Sequence, residues 1–61
     1  MNKSEIKTQA KWLVAHNGPM NVLEFGEELV AGYPSWNAEE AAAIQLEAMI
    51  QADRVLDFLK L

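Results

Sequence analysis

Apolar residues recur at helical spacing in three separate stretches of this chain, and the same polar pair introduces each stretch. Ile6, Ala10, Leu13 and Val14 fall at i, i+4, i+7 and i+8, which lines them up on one side of a helix. Asn2 stands before this stripe, with Glu5 three residues later. Asn21 with Glu24 and Asn37 with Glu40 repeat the arrangement. An Asn before the first helical residue accepts a hydrogen bond from an otherwise unpaired backbone N–H. The Glu three positions on reaches back to the cap, and its charge suits the positive end of the helix. Three such pairs predict three helices, over about 3–16, 22–31 and from 38 onward.

The breaks between stretches fit this plan. Asn17-Gly18-Pro19 ends the first helix, because Gly takes a left-handed cap conformation and Pro cannot continue a helix. Trp12 lies off the first stripe, where it either laps over the edge of the core or faces a partner. In the second helix Val22, Phe25 and Leu29 share a face, and Met20, just ahead of the cap, is placed to pack on Phe25 as a hydrophobic staple. Gly26 costs up to about 1 kcal/mol relative to Ala in a helix, so it predicts a close crossing with a neighbouring helix. Gly32-Tyr33-Pro34-Ser35 closes this element.

The third helix is rich in strong helix formers and apolar nearly all round. Ala41, Ile44, Ala48 and Ala52 line one side, and Leu46 and Ile50 lie toward another. Such a helix is central or touches something on both sides. Two readings of the tail, residues 54–61, stand. It extends helix three, since Ala48, Ala52, Val55 and Leu59 keep the helical spacing. Alternatively Asp53-Arg54 turns the chain and Val55-Leu59 returns as a short strand, the reading that Val55 and Phe58 favour.

Composition narrows what such a domain does. Its 61 residues make one small helical domain, 1–61, with a thin core. There is no cysteine and one histidine, His16, so no disulfide, thiol chemistry or metal site is expected, and no cofactor. The absence of cysteine suits a cytoplasmic protein. Met1 to Gln9 is polar and unlike a signal peptide, and no apolar run approaches the roughly 20 residues of a membrane span. At 51% apolar residues the chain has more apolar surface than a small core hides, which points to a covering partner or second copy. The net charge of −4 is uneven. Residues 1–20 hold three lysines against Glu5, while residues 21–61 hold eight acids against Arg54 and Lys60.

The stretch Gly18-Pro19-Met20-Asn21-Val22-Leu23-Glu24-Phe25-Gly26-Glu27-Glu28-Leu29 resembles the second helix of helix-turn-helix proteins of the winged-helix kind. Leu46 to Val55 resembles that family's third helix running into its first wing strand. The resemblance covers about residues 6–58 and is a pattern of core positions, not a signature of unique residues. It implies a mainly α, three-helix domain with a minimal two-stranded wing, Pro19-Met20 pairing with Val55-Leu59. It also implies DNA reading by the third helix in the major groove. Two departures stand against that function. The third helix opens Asn37-Ala38-Glu39-Glu40-Ala41-Ala42-Ala43, with Glu47 further on, so carboxylates and methyls would face a polyanion. Only Gln45 and Gln51 resemble base readers, and the chain ends at Leu61, before a full second wing strand forms.

The remaining constellations carry two readings each. Lys3, Lys7 and Lys11 recur every four residues and form either an ordinary solvated face or a phosphate track. Glu24, Glu27, Glu28, Glu39, Glu40 and Glu47 read as first-turn acids or as a docking surface for a basic partner, and the lysine stripe of a second copy suits that face. Tyr33 and Trp36 bracket a loop as interface anchors or as a lid on the core. His16 is placed to cap carbonyls at a helix end, and no residue pairs a nucleophile with a base, so catalysis is not expected. The residues expected at a protein interface are Tyr33, Trp36, Glu39, Glu40 and Phe58. The expected function is a non-catalytic interaction module, in the style of small bacterial or phage accessory and regulatory proteins, with a protein partner or a homodimer. The alternative is a DNA-binding regulator using Lys3, Lys7, Lys11, Gln45 and Asn37.

Overall fold

The structure, a computed structural model, describes residues 1–59; Lys60 and Leu61 of the tail lie outside them. Helix α1 spans Lys3–Asn17. Asn2 caps it as its position predicts, accepting a hydrogen bond from the Glu5 N–H at 2.9 Å from an extended backbone. Helix α3 spans Ala38–Leu59, and its start is a reciprocal capping box. The Asn37 side chain accepts from the Glu40 N–H at 2.8 Å, and the Asn37 N–H donates to the Glu40 carboxylate at 3.2 Å.

The middle pair behaves differently. Helix α2 spans Pro19–Ala31, so it begins three residues before the predicted start. Gly18 is the whole connection. Its φ of 90° and ψ of 147° form a conformation that is essentially confined to glycine. Its N–H donates to the Val14 carbonyl at 2.8 Å, closing α1, and its carbonyl accepts from the Val22 N–H at 3.1 Å, opening α2. Pro19 then occupies the first helical position, where its fixed φ helps and its missing N–H does no harm. Asn21 is therefore inside α2 and does not cap it. Its side-chain amide donates to the Asn17 carbonyl at 2.8 Å, tying the end of α1 to the first turn of α2. Met20 is likewise inside the helix and mostly exposed, so no staple to Phe25 forms.

Phe25 also departs from helical geometry, with φ −123° and ψ 21°, and this kink turns its ring outward. The buried face of α2 is instead Val22, Gly26 and Val30, at i, i+4 and i+8. Gly26 does lie buried against α3. A methyl group there would meet the Gln45 side chain at 3.5 Å, an ordinary contact, so the crossing does not demand glycine.

The core joins these faces. Ala10, Leu13 and Val14 of α1 meet Val22 and Val30 of α2 and Ile44, Ala48 and Ala52 of α3, with Ile6, Ala41 and Met49 packed around them. The predicted stripes of α1 and α3 are thus the buried ones. Helix α3 packs on both other helices. Gln45 meets α2, whereas Gln51 donates to the Lys7 carbonyl of α1 at 3.2 Å.

The predicted wing is absent: no strand occurs among the described residues. Pro19-Met20 is the first turn of α2, and Val55-Leu59 continues α3. A helix pairs its backbone groups within itself, but a strand here would need a partner ladder that Pro19, lacking an N–H, could not complete. Asp53-Arg54 contains no Gly or Pro to break the helix.

Two pairs of substitutions test these assignments. Gly18→Ala should cost about 1–3 kcal/mol, since its backbone conformation excludes a side chain although space is open around it. Gly26→Ala should instead stabilise by up to about 1 kcal/mol. Thermal melts would separate the two by sign. Similarly, Asn37→Ala should lose about 1 kcal/mol with its cap, while Asn21→Ala should change stability by less than about 0.5 kcal/mol. Equal losses in urea unfolding would show that Asn21 caps after all.

Candidate functional site

Lysines at four-residue spacing share one face of a helix, and in α1 that face borders α3. Lys3, Lys7 and Lys11 line an open groove of about 570 Å³ with Glu47, Gln51 and Arg54, which recur on α3 at i, i+4 and i+7. Gln51 holds the two walls together, donating to the Lys7 carbonyl and, at 3.4 Å, to the Glu47 carboxylate. The groove therefore presents four cations and one carboxylate. Among the described residues, no ion pair engages those cations. Arg54 was not among the predicted site residues. Its only signal was its register with Glu47 and Gln51, and that becomes meaningful only once α1 is known to lie against them. Thr8 also lines the groove, its hydroxyl donating to the Ser4 carbonyl at 2.9 Å.

Gln45 and Asn37 do not join the lysines. Gln45 lies between α2 and α3 and lines a different groove, and the Asn37 side chain caps α3.

The second feature is apolar. The core stripe of α3 continues beyond Ala52 as Val55 and Leu59, three and seven residues on, but among the described residues its cover thins there. Val55 is 38% exposed, Leu59 64% and the neighbouring Phe58 83%. The cause is length. At about 1.5 Å rise per residue, the 22 residues of α3 exceed what the 15 of α1 and 13 of α2 can cover.

The third feature is an aromatic run at the loop between α2 and α3. Tyr33 and Trp36 are half-buried and pack against the core, with ring centroids 4.8 Å apart. Trp12 meets Tyr33 edge-on at 5.5 Å, and His16 stacks on Trp12 at 4.7 Å. His16 thus covers an indole face. The Leu13 carbonyl at that helix end is taken instead by the Asn17 side chain, at 3.0 Å.

The five expected interface residues do not form one patch. Tyr33, Trp36, Glu39 and Glu40 lie at the start of α3 or in the loop before it, whereas Phe58 lies near its end, roughly 27 Å further along the helix axis. Glu40 is engaged in the capping box, and Glu39 is exposed.

Chemically, the arrangement offers charge and apolar area for recognition. Among the described residues, no group of three or more His, Cys, Asp or Glu side chains could hold a metal ion, and no helix is long and apolar enough to cross a membrane. No known protein family, curated protein or solved structure matches this chain.

Proposed function

We propose that this chain is a non-catalytic protein–protein interaction module, a helix-turn-helix-like three-helix domain with an accessory or regulatory role. The observation that carries this reading is the uncovered end of α3. Leu59 continues the core stripe but is 64% exposed, Phe58 beside it is 83% exposed, and Val55 is only partly covered among the described residues. Apolar side chains in that arrangement gain by burial against another chain, at about 25 cal/mol for each Å² removed from water. The acids of α3 support the same reading, because Glu39 and Glu47 would repel a nucleic acid docked along that helix.

Phe58→Asp tests it. The substitution should leave the melting temperature nearly unchanged, because the side chain contributes little to the fold. It should abolish capture of the partner that the wild-type chain retains in cross-linking from its native host. Equal capture by both proteins would move the interface elsewhere.

A second reading, the DNA-binding regulator, is favoured by the cationic groove alone. Its test is a salt titration with duplex DNA. Contacts from Lys3, Lys7, Lys11 and Arg54 would give an affinity falling steeply with salt, by a log–log slope of about −3 to −4. On the protein-binding reading, no duplex binding is expected even at about 50 mM salt.

A further inference from the structure

The acids of α2 lie outside its first turn. With the helix starting at Pro19, its first turn contains no acid. Glu24, Glu27 and Glu28 fall on either side of the kink at Phe25, and Glu28 lies in the last turn, where the negative end of the helix dipole repels a carboxylate. The first-turn explanation therefore fails for all three. All are exposed, no residue of α2 is basic, and among the described residues none of the three is in an ion pair. Met20 and Phe25, 63% and 47% exposed, sit on the same helix, so α2 presents an acidic surface with apolar side chains outward. Lys3 is the mirror case, a cation in the first turn of α1 beside the positive end of that helix.

We infer that the α1/α3 groove is a docking site for the outer face of α2 from a second copy of this chain. The charges are complementary: Lys3, Lys7, Lys11 and Arg54 on one surface, Glu24, Glu27 and Glu28 on the other. Lys7 and Lys11 are four residues apart, about 6 Å along α1, and Glu24 and Glu28 have the same spacing in sequence across the kink at Phe25. Glu47 inside the groove argues against a nucleic acid occupant, because it interrupts a phosphate track.

The two surfaces lie on different sides of the molecule. Gln45, which meets α2, and Glu47, which lines the groove, are two residues apart and so about 200° apart around α3. A docked copy therefore leaves one groove and one acidic face open, and the contact is head-to-tail, not a closed twofold pair. The proposal keeps to a protein-binding chain but is independent of the Phe58 surface.

A charge swap tests it. In sedimentation at about 50 mM salt, the weight-average mass of the wild-type protein should climb from 6.8 kDa past twice that value as concentration rises toward about 1 mM, and fall back at about 500 mM salt. Lys7→Glu with Lys11→Glu should stay monomeric, as should Glu24→Lys with Glu28→Lys. Both should keep wild-type helicity, because all four side chains are exposed. An equimolar mixture of the two variants should associate again, since each reversed surface then meets its complement. Three outcomes would overturn the proposal: a wild-type monomer throughout, a mixture that stays monomeric, or association that either variant alone retains. Binding of a labelled duplex or single strand by a monomeric wild type would assign the groove to phosphates instead. Phe58→Asp should associate as the wild type does, which keeps this result separate from partner capture.

Discussion

Everything in this fold hangs on the buried stripe of α3, because α3 is the helix that packs along both of the others. Ile44, Ala48 and Ala52 supply it, and two of the three are alanines. Small side chains let α1 and α2 approach closely, and the larger Leu13, Val22 and Val30 fill the space from the other sides. The arrangement packs well but leaves little volume to bury, which is the general difficulty of a domain this short. The single-residue join at Gly18 serves the same economy, turning α1 directly into α2 without a loop.

How much of this was legible depends on how local each determinant is. The caps at Asn2 and Asn37 were readable because a cap is a relation between residues three apart. Asn21 has the same partner spacing but was misread, because Gly18 and Pro19 open the helix first, and that depends on a positive-φ glycine taking the N-cap place. The two readings of the tail stood for a different reason. Val55 and Phe58 carry strand propensity, but propensity is a weak prior against a helix already running with Ala48 and Ala52 in register. The kink at Phe25 has no signal in the residue types around it, and it moved Phe25 from the expected core to the surface.

The surfaces were less legible than the fold. The lysine stripe could be read from α1 alone, whereas the groove could not, since Gln51 and Arg54 belong to a helix forty residues away in sequence. The aromatic pair at the loop was readable as a pair, but its packing under Trp12 was not. Misplacing the start of α2 by three residues also disguised the acids as ordinary first-turn residues.

The cost of these placements bears on their meaning. An acid near a helix C-terminus or a cation at an N-terminus loses a few tenths of a kcal/mol, and an outward aromatic forgoes its burial. A domain of this size holds only a few kcal/mol of net stability, so it cannot absorb many such losses. Local rules are broken here in three places: Glu28 in the last turn of α2, Lys3 in the first turn of α1, and the apolar overhang of α3. Among the described residues no ion pair offsets these charges, and Phe58 and Leu59 stay mostly exposed. These departures are on the surface, and two of them are opposite in charge, which is the pattern that the proposed contact with a second copy would compensate. The fold therefore explains its core by itself, whereas its surface charges are accounted for on the proposed interface.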